Sequence, residues 1–259
     1  MQLRGRVVVV TGASAGIGEA TAVAFAKRGA AVALAARRKE RLEDLAERIG
    51  RAGGRALALP CDVGDPQQLD RLPRMVREAL GPTDVLVNNA GVPGRGEFTS
   101  LSYEQIEKIV RVNVLGVLYG TRAFLPGMLE RGEGHVVNVA SLAGRFAPPG
   151  AAVYTATKHA VVAFSESLDY DASPRGVRIT SVNPGFVETE GFSHADLPSL
   201  AVLDVDRVAE AIVKVVREGI SPEYSVPRWI APLQAFRVLT PPLYRWSVRQ
   251  VRKAGHEGR

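Results

Sequence analysis

The chain contains little of several features that would point to particular classes of protein. It has one cysteine, Cys61, which excludes an internal disulfide and favours a reducing compartment. No window of about 18 residues is free of both charged residues and helix breakers, which argues against a membrane-spanning helix. The N-terminus does not have the order of a secretory signal peptide, because Met1 is followed within a few residues by the apolar run Val7-Val8-Val9-Val10. We therefore expect a cytoplasmic protein.

Histidine is scarce as well. The chain has four histidines, and their spacing does not match that of metal ligands: His135, His159, His194 and His256. We expect no metal site.

The formal net charge of +6 is concentrated at one end of the 259-residue chain. Residues 221–259 contain seven basic and two acidic side chains, whereas residues 1–220 contain 26 basic and 25 acidic ones. A uniformly basic domain would suggest nucleic-acid binding. Since the body is nearly neutral, we expect no nucleic-acid partner and treat the C-terminal segment as a local basic end.

Short β-branched runs alternate with longer helical patterns over the first 190 residues. Strands are predicted at 7–10, 31–35, 56–59, 85–87, 135–139 and 177–182. The helical patterns between them include 19–28, 39–52, 66–80, 103–118 and 154–172. Such alternation predicts an α/β fold, a single doubly wound Rossmann-type parallel sheet with helices on both faces. We assign residues 1–229 to this domain and 230–259 to a helical C-terminal extension of it.

The first predicted strand leads directly into a glycine-rich turn, Thr11-Gly12-Ala13-Ser14-Ala15-Gly16-Ile17-Gly18. Glycines allow a sharp turn and a close approach of the backbone to a pyrophosphate, and the helix N-terminus that follows offers free N–H groups. The spacing is G-x-x-x-G-x-G rather than G-x-G-x-x-G, and glycine-rich turns also serve ordinary tight connections. The turn favours dinucleotide binding without requiring it.

Two arginines, Arg37 and Arg38, follow the second predicted strand. Folds that prefer NAD place Asp or Glu there to bind the ribose 2′-hydroxyl, whereas two guanidinium groups suit a 2′-phosphate. As plain surface charges they would face the positive end of a helix dipole, which is unfavourable without an anion. We therefore predict NADP (NADPH) as the cofactor, with NAD less favoured.

Ser141, Tyr154 and Lys158 form a third pattern. Tyr154 and Lys158 are four residues apart in a predicted helix, so they lie on one face, and Ser141 follows a predicted strand. A free tyrosine has a pKa of about 10 and is a poor acid–base catalyst at neutral pH, but a nearby ammonium group favours its phenolate. The pattern predicts that Tyr154 exchanges a proton with a carbonyl or alcohol oxygen to which Ser141 hydrogen-bonds.

With these motifs the sequence resembles the classical short-chain dehydrogenase/reductase (SDR) family. The resemblance runs in order over about residues 5–190. It rests on seven elements: Thr11–Gly18, Asp62-Val63, Asn88-Asn89-Ala90-Gly91, Asn113, Ser141, Tyr154-Thr155-Ala156-Thr157-Lys158 and Asn183-Pro184-Gly185-Phe186-Val187-Glu188-Thr189.

The resemblance implies a role for each matching residue. Tyr154 would be the catalytic acid/base, and Lys158 would lower its pKa and hold the nicotinamide ribose. Ser141 would orient the substrate carbonyl, Asn113 would hold a water that links Lys158 to solvent, and Asn88 would mainly brace the sheet. Without the family pattern, Asn113 would be interpreted as a helix–helix contact.

The cofactor-binding set combines these matches with the two arginines. Asp62 and Val63 would contact the adenine, and Pro184, Gly185, Val187 and Thr189 would position the nicotinamide. The full set is Thr11, Gly12, Ser14, Ala15, Gly16, Ile17, Gly18, Arg37, Arg38, Asp62, Val63, Asn89, Ala90, Gly91, Tyr154, Lys158, Pro184, Gly185, Val187 and Thr189.

A substrate lid is expected at about 186–204, after the nicotinamide loop. This stretch contains no Lys or Arg. It carries five large apolar residues and four acidic ones: Phe186, Phe192, Leu197, Leu200, Leu203, Glu188, Glu190, Asp196 and Asp204. An anionic substrate would find no cationic partner there, so we expect a neutral, lipophilic carbonyl compound or alcohol. The alternative is that the apolar residues only pack the lid onto the domain.

The end of the chain departs from the family's ketoacyl reductases, which typically stop soon after the last strand. Pro227 cannot donate to a sheet ladder, so the last strand is predicted to be short or at an edge. From Pro242, apolar and basic residues recur at helical spacing. A basic amphipathic helix of this kind can lie on an anionic membrane surface, in a peripheral contact. The alternative, which we favour, is that it covers the substrate pocket or a dimer partner.

Together these features predict an NADP(H)-dependent oxidoreductase that interconverts a carbonyl and a secondary alcohol, in a homo-oligomer with a dimer favoured. Two alternatives stay open. One is a non-catalytic NADP-binding regulatory protein, although a pure sensor would not need the set Ser141, Tyr154, Lys158 and Asn113. The other is a 3-oxoacyl reductase that acts on acyl thioesters.

Overall fold

A seven-stranded parallel sheet forms the centre of the computed structural model, which describes residues 1–94, 96–190, 202–230 and 233–246. The strands in chain order are β1 (Val7–Thr11), β2 (Ala31–Ala36), β3 (Arg55–Pro60), β4 (Val85–Asn88), β5 (Gly134–Val139), β6 (Val177–Pro184), β7 (Phe186–Val187), β8 (Val202–Leu203) and β9 (Glu223–Val226). The spatial order is β3-β2-β1-β4-β5-β6-β9, and β7 pairs with β8 separately. The predicted doubly wound parallel sheet is confirmed.

Helices cover both faces of this sheet. They are α1 (Gly16–Ala26), α2 (Lys39–Arg51), α3 (Pro66–Ala79), α4 (Tyr103–Val110), α5 (Gly116–Arg131), α6 (Ala152–Ala172), α7 (Val205–Glu218) and α8 (Leu233–Leu239). The single helix predicted at 103–118 is instead α4, a π-helical turn at Arg111–Leu115, and α5, which continues to Arg131. None of the described helices has the length and apolar character needed to cross a bilayer.

The hydrophobic core has two layers because alternate residues of each strand point to opposite faces. In β1, Val8 and Val10 pack on the side of α1, α2 and α7, whereas Val7 and Val9 pack on the side of α3 and α5. Complete burial of each such side chain stabilises the fold by roughly 1.5–3 kcal/mol. Cys61 packs in the second layer as a small apolar residue, and burial raises the pKa of its thiol to about 11.

The strand order reverses between β1 and β4, which are neighbours although β2 and β3 intervene in the chain. In open α/β sheets, ligands bind beyond the carboxyl ends of the strands at such a switch point. The carboxyl ends of β1, β4, β5 and β6 lead into the motifs singled out above, at residues 12–18, 89–91, 141 and 185–189. The topology therefore brings these separate motifs to one edge of the sheet.

The last strand, β9, is four residues long and lies at the edge beside β6, as Pro227 predicts. The described part of the C-terminal extension contains α8 and a helical segment at 241–246. The rest of the predicted tail helix, residues 247–259, lies outside the described residues. So does the middle of the predicted lid, 191–201, whose flanking strands β7 and β8 pair in parallel through Phe186 and Val202.

Candidate active site

The glycine-rich turn packs closely against the residues that follow β4. Gly12 has a φ of +66°, and a Cβ there would lie 2.8 Å from Ala90 Cα. A Cβ at Gly18 would lie 2.3 Å from the carbonyl oxygen of Gly12. Thr11 Oγ1 accepts hydrogen bonds from the backbone N–H groups of Asn89 at 3.0 Å and Ala90 at 3.2 Å. Glycine is therefore required for this close approach.

The first turn of α1 is open to an anion. Its N-cap residue, Ala15, makes no side-chain capping hydrogen bond, so no cap from that side chain competes for the N–H groups of the helix end. The helix dipole adds a positive potential there. Together with the close backbone approach at Gly12, this arrangement fits the pyrophosphate of a dinucleotide.

The two arginines after β2 diverge instead of lying together. Arg38 donates from Nε and Nη2 to Ser14 Oγ, at 3.1 and 3.0 Å, and so lies against the glycine-rich turn. Arg37 is exposed and lines a separate cleft, together with Asp62 and Lys108. Arg38 is thus the arginine that contacts the turn.

The residues after β3 line the same side as Arg37. Asp62 lines the same cleft as Arg37, and its Oδ1 accepts the N–H of Gly64 at 2.9 Å. Val63 is buried, and a Cβ at Gly116 would lie 2.9 Å from its Cγ2. Val63 therefore packs on α5 and fixes the position of Asp62.

Tyr154 and Lys158 lie one turn apart on α6. Lys158 is only 5% exposed, and its Nζ donates to the carbonyl oxygen of Val139 at 2.9 Å. The same nitrogen lies 5.7 Å from the centre of the Tyr154 ring. Burial lowers the pKa of Lys158 to about 8. The four-residue spacing on α6 thus places the ammonium group of Lys158 beside Tyr154, on the shared helix face that the spacing predicts.

Ser141 lies two residues beyond the strand end to which Lys158 is tethered. Its Oγ accepts the N–H of Ala143 at 3.1 Å, which begins a short 3₁₀ turn at Leu142–Gly144. A Cβ at Gly144 would lie 2.7 Å from the carbonyl oxygen of Lys158, so this turn packs directly on α6. The structure thereby brings Ser141 to the end of α6 that carries Tyr154 and Lys158.

Asn113 is fully buried in the π-helical turn between α4 and α5. Its Oδ1 accepts the N–H of Val92 at 2.8 Å, and its Nδ2 donates to Val92 O at 3.0 Å and to Thr157 Oγ1 at 3.3 Å. A Cβ at Gly91 would lie 3.4 Å from Asn113 Oδ1 and 3.8 Å from Lys158 Nζ. The missing side chain at Gly91 therefore leaves space between the asparagine and the lysine.

The segment after β6 returns to the glycine-rich turn. Pro184 ends the strand, and Gly185 N donates to the carbonyl oxygen of Val226 at 2.8 Å. Val187 is buried, and Thr189 Cγ2 would lie 3.1 Å from a Cβ at Gly16. Residues 184–189 thus connect the substrate side of the sheet to the turn.

Two features of this site are missed by reasoning from the sequence. Glu190, counted among the acidic residues of the lid, forms ion pairs with Arg38 and Arg41. Arg237, in the extension, donates to the carbonyl oxygen of Arg145 and contacts His159 Nε2 at 2.8 Å. No spacing in the sequence predicts either contact, because the partners are far apart in the chain.

The extension also reaches the turn after Ser141 through Tyr244. Its hydroxyl accepts the N–H of Ala147 at 3.2 Å, and its ring centre lies 6.4 Å from that of Phe146. Part of the tail therefore packs beside the candidate active site.

The fold and this edge of the sheet define an oxidoreductase that binds a nicotinamide dinucleotide. The family model described as short chain dehydrogenase matches residues 6–197, and the chain belongs to this family. The resemblance inferred from the motifs is confirmed.

Curated relatives include reductases of different lengths. The chain is 39% identical over 226 residues to the glycine betaine reductase ATRR of Emericella nidulans, a match that spans 83% of this chain and 18% of that protein. It is 36% identical over 219 residues to the ketoacyl reductase HetN of a Nostoc species, spanning 83% and 76% of the two chains.

Solved structures of similar fold contain either nicotinamide cofactor. An actinorhodin polyketide ketoreductase with NADPH has a TM-score of 0.80 at 32% identity, and the match covers 87% of this chain and 97% of that one. A short chain dehydrogenase/reductase from Burkholderia phymatum in complex with NAD has a TM-score of 0.84 at 29% identity, covering 94% and 96%. These neighbours support a nicotinamide cofactor for this chain and leave the preference between NAD and NADP open.

Proposed function

We propose that the protein is an NADP(H)-dependent oxidoreductase that interconverts a carbonyl and a secondary alcohol on a neutral, lipophilic substrate. The observation that supports this most strongly is the buried Lys158 beside the Tyr154 ring, tethered to the strand end that precedes Ser141. Burying an ammonium group is costly, and groups with strongly perturbed pKa values concentrate at functional sites. A non-catalytic dinucleotide-binding protein would have no need of this arrangement.

The cofactor supplies the hydride when it is bound. The glycine-rich turn and the N-terminus of α1 would hold its pyrophosphate, Arg38 its 2′-phosphate, and Asp62 its adenine end. Residues 184–189 would position its nicotinamide, and Tyr154 and Lys158 would hold the nicotinamide ribose. The NADP preference rests on the guanidinium group of Arg38 at the end of β2, where an NAD-specific site would have a carboxylate.

The protein's own part in the reaction is proton transfer and orientation. The Lys158 ammonium group stabilises the phenolate form of Tyr154. The neutral tyrosine therefore transfers its phenolic proton readily to the carbonyl oxygen. Ser141 Oγ donates a hydrogen bond to the same oxygen. Asn113 and Gly91 leave space for a water molecule beside Lys158 Nζ, through which the proton is replaced.

The replacement Tyr154→Phe tests this mechanism. We expect kcat to fall by at least about 10²-fold because the general acid is lost. NADPH affinity should fall by no more than about tenfold, because one hydrogen bond to the ribose is lost while Lys158 and the glycine-rich turn remain. The measurement is NADPH oxidation over a broad panel of ketones and aldehydes, with Tyr103→Phe, which changes an exposed tyrosine, as the control. Equal background rates for the wild type and Tyr154→Phe with every compound would support the regulatory alternative instead.

A 3-oxoacyl thioester is the second candidate substrate, since relatives and neighbours include proteins named ketoacyl reductases. The same panel separates the two candidates when it includes a 3-oxoacyl thioester beside free lipophilic ketones. A clear preference for small charged ketoacids would contradict both.

The C-terminal extension suggests a peripheral membrane contact in addition. Residues 224–256 contain six basic residues and no acidic one, and the described part exposes Trp229, Leu239, Leu243 and Trp246. Basic residues beside exposed tryptophan and leucine suit the anionic surface of a bilayer. This contact is compatible with the packing of Tyr244 beside the active site, which is the other role considered for the tail. A homo-oligomer, with a dimer favoured, stays a prediction.

A further inference from the structure

Glu190 forms an ion-pair cluster with two arginines at the adenosine end of the candidate cofactor site. Its Oε2 accepts Arg38 Nη1 at 2.8 Å and Arg41 Nη1 at 2.9 Å, while its Oε1 accepts Arg41 Nη2 at 2.9 Å. The hydrogen bonds from Arg41 and Arg38 hold the pKa of this carboxyl below its usual range, so it is ionised at neutral pH.

Arg38 therefore has both of its hydrogen-bonding edges engaged. Nε and Nη2 contact Ser14 in the glycine-rich turn, and Nη1 contacts Glu190. A phosphate that binds Arg38 bidentately needs two of these donors, and Glu190 holds one of them. The carboxylate thus stands where a phosphate oxygen would bind.

The chain delivers Glu190 to this place from the opposite end of the site. Glu190 directly follows Thr189, whose Cγ2 would lie 3.1 Å from a Cβ at Gly16 in the turn. The same short segment thus contains the residues expected to position the nicotinamide and a carboxylate directed at the adenosine end.

We propose that Glu190 determines cofactor selectivity by competing with the 2′-phosphate of NADP for Arg38 and Arg41. A dinucleotide with a free 2′-hydroxyl binds without disturbing the cluster. A 2′-phosphate displaces the carboxylate, because two anionic groups beside the same arginines repel each other. Glu190 therefore narrows the preference for NADP over NAD that Arg38 creates. This inference rests on the proposed function, in which Arg38 binds the 2′-phosphate.

The replacement Glu190→Gln removes the competing charge and keeps the size of the side chain. Calorimetric titration of the full chain with 2′,5′-ADP and with 5′-AMP measures the effect without turnover and without the nicotinamide. We expect 2′,5′-ADP to bind about three- to tenfold more tightly, the range set by an exposed ion pair and its repulsion of a phosphate, and 5′-AMP to change by less than about twofold. The control Glu210→Gln removes the same charge from α7, where Glu210 forms an ion pair with Arg28 outside the candidate site, and should leave both affinities unchanged.

Two further outcomes separate the inference from its foundation. If Glu190→Gln leaves 2′,5′-ADP affinity unchanged, or tightens both ligands equally, while Arg38→Ala still weakens 2′,5′-ADP alone, the competition is wrong and the NADP preference stands. If Arg38→Ala affects neither ligand selectively, the NADP preference itself is wrong and the inference falls with it. The melting temperature of each variant checks that it is folded.

Discussion

Lys158 is a residue at which stability and function oppose each other. Its pKa is lowered from 10.5 to about 8 by burial, so the folded protein holds this ammonium group at a cost. One hydrogen bond, to Val139 O, offsets part of that cost. A buried ammonium group with a net cost in folding stability is expected at a site where its charge serves a reaction.

The replacement Lys158→Met should therefore stabilise the protein while abolishing catalysis. Below pH 8 the lysine is protonated in the folded and in the unfolded chain, and its burial costs on the order of 3 kcal/mol, less what the Val139 bond returns. Between pH 8 and 10.5 the folded protein releases the proton while the unfolded chain retains it, so the wild type becomes relatively more stable. We expect Lys158→Met to unfold at a higher urea concentration than the wild type at pH 7, with a free energy of unfolding larger by roughly 1–3 kcal/mol. This difference in free energy should shrink by pH 10.

The control is Lys108→Met, which changes an exposed lysine on α4 and should show no comparable dependence on pH. A Lys158→Met variant less stable than the wild type at pH 7 would contradict the account. It would mean that the hydrogen bond to Val139 outweighs the desolvation of the ammonium group.

Individual residue identities predict the chemistry of the site better than its geometry. The spacing of Tyr154 and Lys158 follows from the period of a helix, and their placement on one face could be predicted from it. The separation of Arg37 from Arg38 could not, because it depends on the turn of the chain into α2 and on Ser14 as a partner. Neighbours in a sequence at the end of a strand point in different directions.

At the scale of elements, the close packing of α5 on the sheet depends on a glycine, Gly120. Asn88 of β4 donates from Nδ2 to Asn138 Oδ1 at 2.9 Å and to Thr121 Oγ1 at 3.1 Å, and so joins two strands and the helix. A Cβ at Gly120 would lie 2.5 Å from Asn88 Oδ1. Since the amide is fixed by its own hydrogen bonds, a methyl group there would push the helix away.

The matched pair Gly120→Ala and Gly127→Ala on α5 separates packing from helix propensity. We expect Gly120→Ala to destabilise the fold by roughly 1–3 kcal/mol through overpacking. At Gly127 a Cβ would meet only the end of the Arg131 side chain, at 3.6 Å, so the alanine should be neutral or stabilising by up to about 1 kcal/mol. Urea denaturation of both variants measures the difference. Equal effects would show that α5 tolerates a methyl group next to Asn88.

The π-helical turn between α4 and α5 is the element that sequence periodicity misses. The apolar pattern around Asn113 reads as one continuous helix, since one extra residue in a turn leaves little trace in a short pattern. The turn is stabilised by the bonds of Asn113 to Val92 and Thr157, which come from two other parts of the chain. Such turns are frequent at functional sites, and this one adjoins Lys158 through Gly91.

For the whole molecule, the doubly wound parallel sheet is implied by the sequence, because alternating strands and helices permit few right-handed parallel topologies, whereas the order of the strands comes from the structure. What the pattern does not contain are contacts that close the site from afar. Glu190 reaches Arg38 and Arg41, and Arg237 reaches Arg145, only after the sheet has brought the strand ends together. The motifs that the structure brings to this edge of the sheet could therefore be predicted from the sequence, whereas the long-range contacts of Glu190 and Arg237 could not.

The charge distribution of the whole molecule leads to a prediction about membranes. Both tryptophans of the protein, Trp229 and Trp246, lie in the basic C-terminal part and are 68% and 62% exposed. Tryptophan fluorescence therefore reports on this surface alone. A peripheral membrane contact predicts a blue shift when vesicles containing anionic phospholipid are added, no shift with neutral phosphatidylcholine vesicles, and reversal by salt, since screening weakens the attraction. A tail that only covers the substrate pocket or a dimer partner predicts no shift with either kind of vesicle.

The replacement Arg245→Glu changes the charge of this surface by two units and should weaken vesicle binding by about 30-fold, on the basis of roughly 1 kcal/mol per unit of charge at an anionic surface. Arg207→Glu makes the same change on α7, outside the extension, and should leave binding intact. A blue shift that grows with protein concentration in the absence of vesicles would indicate that a second copy of the chain covers the tryptophans. In that case the basic end is an interface between subunits.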